Sequence, residues 1–217
     1  MITLGPTIRT AIAAVFALGI SASAAATTIT LDYTTDADGV ATSAVEGVTT
    51  VDFNQGCGYA SCSGVYPLVT HAPSAASLAG RTNNTQYLNQ SAGTAIFSLG
   101  TTANYFGLLW DSIDYFNTIS FVDDGRQIAR YTGNTLVQAV QADGGNLAMG
   151  DSAYINFFDL PEFDTVRITD NISNFESDNH AYGMVDTSEV PEPTSVALFG
   201  LGLLLLITGL MRRRAHR

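Results

Sequence analysis

The chain has 217 residues and contains no lysine, two cysteines, three histidines and one tryptophan. Each scarcity removes a class of function. Without lysine every permanent positive charge is an arginine, and the nine arginines are unevenly placed. Arg9 stands near the start, Arg81, Arg126, Arg130 and Arg167 in the middle, and Arg212, Arg213, Arg214 and Arg217 in the last six positions. Residues 27–190 hold 19 acids against 4 arginines, a formal charge of about −15. Such a surface repels nucleic acid, whose phosphates need Lys or Arg to displace their counterions, so no DNA or RNA partner is expected. An acidic surface does suit solubility and cation binding in a salty exterior.

Catalytic signatures are also missing. His71 and His180 are the only histidines before the final residues, and no His-Glu-x-x-His zinc motif or Gly-x-Ser-x-Gly nucleophile elbow occurs. Gly150-Asp151-Ser152 lies mid-chain, is followed by Ala153, and reads as a turn. Asp111 and Asp114 have the residue types of a glycosidase carboxylate pair, but three positions apart at the end of one strand they read better as loop-capping groups. No catalytic residue is therefore assigned, and the chain is not expected to be an enzyme. Cys57 and Cys62 enclose only Gly58-Tyr59-Ala60-Ser61, and zinc would need two further ligands. In an exported chain the pair reads as a disulfide closing a tight loop, with a reactive thiol pair as the alternative.

The two ends carry what the middle lacks: long apolar runs. Residues 1–26 read as a secretory signal peptide, with Arg9, the uncharged run Ala11–Ile20, and the small residues Ser21–Ala26. The run is too short to span a bilayer, and cleavage is expected after Ala26 or Ala24. At the other end Val190-Pro191-Glu192-Pro193 precedes eighteen uncharged residues, 194–211, and then Arg212-Arg213-Arg214. A helix of that length reaches roughly 27 Å, enough for the hydrocarbon core. Arginines beside it stay on the cytoplasmic side, which places the acidic part outside. The prolines keep the approach extended.

Pro191-Glu192-Pro193, an apolar helix and an arginine cluster, in that order, resemble the PEP-CTERM sorting domain over about residues 190–217. The resemblance implies an exosortase substrate of a Gram-negative bacterium, held briefly in the inner membrane and processed near Pro191, Glu192 and Pro193. Its product is expected at the cell surface or in an exopolysaccharide matrix. A plain single-pass anchor that is never cut is the alternative.

Between the ends, helix-period segments are hard to find, while short β-branched and aromatic runs recur. Strands are predicted at Thr28–Tyr33, Val48–Phe53, Thr94–Leu99, Tyr105–Trp110, Thr118–Val122, Arg126–Thr132, Tyr154–Phe158, Thr165–Thr169, Ser173–Glu176 and Ala181–Val185. Asp123-Asp124-Gly125 is a hairpin turn signal. Ala72–Ser91 reads as a long surface loop or irregular crossover. Many short strands with turn residues between them predict an all-β ectodomain over 27–188, an antiparallel, jelly-roll-like sandwich, with the sorting domain at 189–217. Tyr105–Asp114, Asn117–Phe121 and Phe175–Ala181 resemble ectodomains of exosortase-dependent surface proteins, which are similar to carbohydrate-binding sandwiches. That resemblance supplies no catalytic residue.

Two ligands are considered for the ectodomain. Calcium needs several oxygens, and Asp178 with Asn179 are the candidate ligands of one structural ion where a loop meets the last strands; Asp36-x-Asp38-Gly39 and Asp123-Asp124 are weaker sets. All of these residues also populate ordinary turns. For polysaccharide, Trp110, Tyr105 and Tyr115 are candidate platforms, although a lone Trp ending an apolar strand reads first as core. His180 reads as a satisfied loop histidine. The expected role is a non-catalytic structural or adhesive surface component, with exosortase and the secretion machinery as partners. The alternative is a calcium-dependent polysaccharide-binding module.

Overall fold

A computed structural model describes residues 26–70, 85–172 and 174–186. Residues 1–25 of the predicted signal peptide, His71, and the predicted sorting domain with its helix at 194–211 lie outside these. Among the described residues no helix is long and apolar enough to cross a membrane.

Alternating apolar residues form strands here because each strand can bury one face against a second sheet. In chain order the strands are β1 (Thr28–Thr30), β2 (Thr34–Thr35), β3 (Ala41–Thr42), β4 (Thr49–Val51), β5 (Ser61–Gly64), β6 (Leu68–Thr70), β7 (Gln86–Gln90), β8 (Gly93–Ala103), β9 (Tyr105–Asp111), β10 (Asn117–Asp123) and β11 (Arg126–Thr132). A helix α1 (Gly133–Ala142) follows, and then β12 (Ala153–Phe158), β13 (Phe163–Asp170) and β14 (Phe175–Gly183). One antiparallel sheet has the order β1-β12-β9-β14-β7-β6, with β4 also paired to β14; the other has the order β11-β10-β13-β8-β5. Within them, β7-β14-β9-β12 and β8-β13-β10-β11 form the two four-stranded halves of a jelly-roll winding.

The inner faces meet in one aromatic core. Phe121 lies with its ring centroid 5.6 Å from Phe106, 5.3 Å from Phe157 and 5.0 Å from Phe163. Trp110 stacks on Phe175 at 4.5 Å. All six of these rings are fully buried, and each such side chain contributes on the order of 1.5–3 kcal/mol through burial.

Four features depart from the sequence reading. First, the two predicted strands Ser173–Glu176 and Ala181–Val185 are not separate: one strand, β14, takes in Phe175, Glu176 and residues 181–183 and runs through the polar residues between them. Second, the predicted loop 72–91 contains β7, whose Tyr87 and Leu88 are fully buried. Third, helix α1 exists. Thr132 caps it by accepting from the Thr135 N–H, Thr135 returns the bond, and Leu136, Val137 and Val140 form its buried face. The stretch Thr132-Gly133-Asn134-Thr135 looks like a turn, and ten residues carry too few apolar positions to reveal the period. Fourth, short strands β2 and β3 pair with each other and cover part of the seven-stranded sheet. The turn signal at Asp123-Asp124-Gly125 is realised: Asp124 at φ 45° and Gly125 at φ 77° join β10 to β11.

Candidate functional site

Of the residues singled out from sequence, Asp178, Asn179 and His180 lie on β14 and Tyr105, Trp110 and Asp111 on its neighbour β9. Strand β14 is inward-facing at Phe175 and Ser177 and again at His180 and Tyr182, an odd step that requires one extra residue. The register shift between Asp178 and Ala181 supplies it, with Asn179 at φ 44°. Asn tolerates the left-handed region better than most residues.

His180 is fully buried in the core, not in a loop. Its Nδ1 lies 2.7 Å from the Tyr59 hydroxyl and its Nε2 2.8 Å from the Ser177 hydroxyl. Phe53 meets its ring edge-on at 4.8 Å. A neutral imidazole donates from one nitrogen and accepts at the other, so both contacts are served without a charge. Burial holds the His180 pKa down to about 3. The Cys57–Cys62 disulfide closes the loop that delivers Tyr59, whose ring stacks on Phe97 at 4.8 Å and Tyr182 at 5.7 Å. Burial pushes the Tyr59 hydroxyl pKa well up, so it too stays neutral. Ser177 and His180 thus form a neutral, fully enclosed packing unit.

The expected calcium pair lies inside β14 rather than at a loop. Asp178 Oδ1 accepts the Asn179 N–H at 2.8 Å and Oδ2 accepts the Thr85 hydroxyl at 3.3 Å. The Asn179 Nδ2 donates to Asp36 Oδ2 at 2.8 Å and to the Ala41 carbonyl at 3.0 Å. Asp36 and Asn179, read from sequence as parts of separate sets, are therefore brought together, but as a latch. Asp36 Oδ1 accepts the N–H groups of Asp38 and Val40 at 2.9 Å each, which folds residues 36–40 into a turn. Among the described residues no group of three or more His, Cys, Asp or Glu is arranged to hold a metal ion.

The three candidate sugar platforms do not share a face. Trp110 is in the core. Tyr105, five residues earlier on β9 and so on the opposite side, donates to Asn156 Oδ1 at 2.6 Å and lies 2.7 Å from the Ser43 hydroxyl. Tyr154 donates to the Asn179 carbonyl at 2.9 Å, and Asn156 donates to the Asp32 carbonyl at 2.7 Å. The bonds to Ser43 and Asp32 tie the segment 32–43 over the outer side of the seven-stranded sheet. Burial pushes the Tyr105 pKa up to about 12. Tyr115 alone is open to solvent, 61% exposed, with Phe116 edge-on at 5.0 Å.

The carboxylate pair is likewise separated in role. Asp111 accepts a hydrogen bond from the Ser152 hydroxyl. Asp114 closes the following turn: its N–H donates to Asn117 Oδ1 at 3.2 Å, and its carbonyl accepts the Asn117 N–H at 3.2 Å. Partial burial, with a smaller effect from the charge of Asp170, raises the Asp114 pKa. Gly150, at φ 86°, sits in a turn in which Ala148 N–H donates to Asp151 Oδ2 at 2.8 Å.

The outer side of the five-stranded sheet is different and was not singled out from sequence. Register places Ser63, Ile96, Arg167, Ser120 and Arg130 in one row across the five strands. Thr94, Thr169, Thr118 and Thr132 form the next row. These rows point outward because Phe97, Phe121, Val166 and Ile168, alternating with them, fill the core. The rows line a trough of about 520 Å³ with no carboxylate in its lining. Arg130 donates to the Thr118 hydroxyl at 3.3 Å, and the Thr94 and Thr169 hydroxyls are 3.0 Å apart. The Arg167 Nε is buried and lacks an acceptor among the described residues. The alternation in Thr118-Ile119-Ser120-Phe121 and Thr165-Val166-Arg167-Ile168-Thr169 was the available signal. It gives the polar side of each strand but not their juxtaposition.

Comparison with known families finds the PEP-CTERM protein-sorting motif at residues 189–214. No curated protein and no solved structure matches the chain.

Proposed function

Since the chain carries a PEP-CTERM sorting motif, the mark of an exosortase-targeted exported surface protein, we propose that it is a non-catalytic structural or adhesive component of the cell envelope or extracellular matrix of a Gram-negative bacterium. The motif at 189–214 is the observation that carries this reading. The ectodomain supports it by what it does with its reactive groups. Ser177 and His180 are sealed in the core, and the Asp111 carboxylate is engaged by the Ser152 hydroxyl. A disulfide adds the kind of covalent bracing that persists in an oxidising exterior.

In this reading the signal peptide at 1–26 is removed on export. Residues 194–211 hold the precursor in the inner membrane while Arg212, Arg213 and Arg214 remain cytoplasmic. Cleavage near Pro191-Glu192-Pro193 then frees the ectodomain for the surface. The test is to replace Pro191, Glu192 and Pro193 together with alanine and follow the protein by fractionation and intact mass. The expected product is a longer species retained in the inner membrane. Normal processing and surface delivery of the triple variant would defeat the proposal.

A further inference from the structure

We propose that the outer side of the five-stranded sheet is a binding site for a carboxylate-bearing polysaccharide, with Arg130 and Arg167 taking its carboxylates and the serine and threonine rows taking its hydroxyls. The inference deepens the proposed surface role and relies on it only for where the ligand is met.

Charge distribution is the first argument. The segment 27–190 has only four arginines among 19 acids, yet two of the four lie in this trough and no acid lines it. A face that served only for solubility in so acidic a domain would carry carboxylates. Here they are kept out of a trough where two arginines would attract an anion.

The state of the arginines is the second. Among the described residues Arg167 has a buried Nε without an acceptor, and the side-chain bond of Arg130 is to the neutral hydroxyl of Thr118. A guanidinium presents a planar fork of donors that fits a carboxylate with two parallel bonds, so both side chains retain capacity for that group. Both residues flank Ser120 in the ladder, which separates their strands by two spacings, roughly 10 Å. Two anionic groups on a repeating chain match that separation better than one small ion does.

The lining gives the third. Hydroxyls of Thr94, Thr118, Ser120 and Thr169 both donate and accept, as sugar hydroxyls require. No aromatic ring lines the trough, so the apolar stacking that holds neutral sugars is absent and recognition falls to charge and hydrogen bonds.

Titration calorimetry tests this with full-length protein in detergent micelles, EDTA present, and polygalacturonate as probe beside its methyl ester and dextran sulfate. Polygalacturonate should bind, and the ester, with the same backbone but no charge, should bind at least about tenfold more weakly, a difference of one decade in Kd. Affinity should fall as salt is raised. The double substitution Arg130→Gln with Arg167→Gln should lower it by about tenfold or more. Arg130→Glu, on the edge strand β11, is the variant that leaves the core untouched and should do the same with an unchanged melting temperature.

Equal binding of the ester, equal or tighter binding of dextran sulfate, unaltered binding by both arginine variants, or no binding of polygalacturonate would each overturn the assignment. Export is read independently. The arginine variants should still be processed and reach the surface, and the Pro191-Glu192-Pro193 alanine variant, purified from the membrane, should still bind polygalacturonate.

Discussion

The two sheets of the sandwich use similar residues on their outer sides and finish them in opposite ways. On the seven-stranded sheet the polar groups of Tyr105, Asn156 and Asn179 are directed into bonds with the overlying segment 32–43, which closes that side, while Tyr154 bonds the Asn179 carbonyl beneath it. On the five-stranded sheet the arginines and hydroxyls are left at the surface with no segment over them among the described residues. A polar residue on a strand is thus not by itself a sign of function. What distinguishes the sheets is whether its partners come from the same chain. The first sheet spends its polarity on holding itself together, and the second leaves donors in place for something else.

The seven-stranded sheet, sealed on its inner face around His180 and covered on its outer side, is expected to be sensitive to pH and substitution, and the open outer side of the other sheet is not. The largest effect belongs to His180. Its folded pKa is about 3 against 6.5 in the unfolded chain, and burial is the cause. Between those values the unfolded chain binds a proton that the folded one refuses. Stability therefore falls as pH drops from 6.5 toward 3, by up to ~1.4 kcal/mol per pH unit, and the loss levels off below. Urea denaturation of the wild type and of His180→Gln between pH 7 and pH 4 would measure it. The wild-type curve should fall more steeply by about that amount, since the carboxylates are common to both proteins. Parallel curves would mean that His180 is accessible to protons in the folded state and that the core is not sealed around it.

Next is the latch. Asn179→Ala removes both bonds to the covering segment, leaves the Ala41 carbonyl without that donor, and places an alanine at φ 44°. The expected cost is about 2–3 kcal/mol. Hydrogen exchange over residues 32–43 should quicken while β8, β10 and β13 keep their protection. If exchange in that segment stays at the wild-type rate, the segment is held by something other than Asn179, and the account of the closed side fails at its centre.

How far these distinctions were legible in the sequence depends on the range of the interaction that creates them. Strands with strict alternation, such as Thr118–Val122 and Thr165–Thr169, and the turn at Asp124-Gly125 are set by neighbours one to three residues away, and all three read correctly. The disulfide is set by a six-residue stretch and read equally well. Strand β14 did not read correctly, because its bulge at Asp178-Asn179 shifts the inward phase by one residue. Either half looks like a separate strand, and Ser177-Asp178-Asn179-His180 looks like a loop. The partners that make those residues structural are distant in sequence: Asn179 meets Asp36 across 143 positions, and His180 meets Tyr59 across 121. The full row on the open sheet requires four separate strand pairings, two of which bring Arg130 and Arg167 to flank Ser120. Only the pairing of β10 with β11 was signalled locally.

The smallest predicted effect is also the one that most directly sharpens the comparison. Thr94 and Thr169 sit opposite each other on the open side with their hydroxyls 3.0 Å apart, a bond that resembles those of the closed side in geometry. Valine has nearly the shape of threonine and an equally good fit to a pleated strand, so Thr94→Val with Thr169→Val deletes the hydroxyls and little else. Both residues are only partly buried, so water can replace the lost partner. The double variant should therefore change stability by no more than about 0.5 kcal/mol, the ordinary range for surface positions. Chemical denaturation at neutral pH measures this beside Asn179→Ala. A loss comparable to that of Asn179→Ala would show that the threonine row is an internal network as necessary to the fold as the latch. The two outer sides would then differ in coverage alone, and the hydroxyls could no longer be counted as free for a ligand.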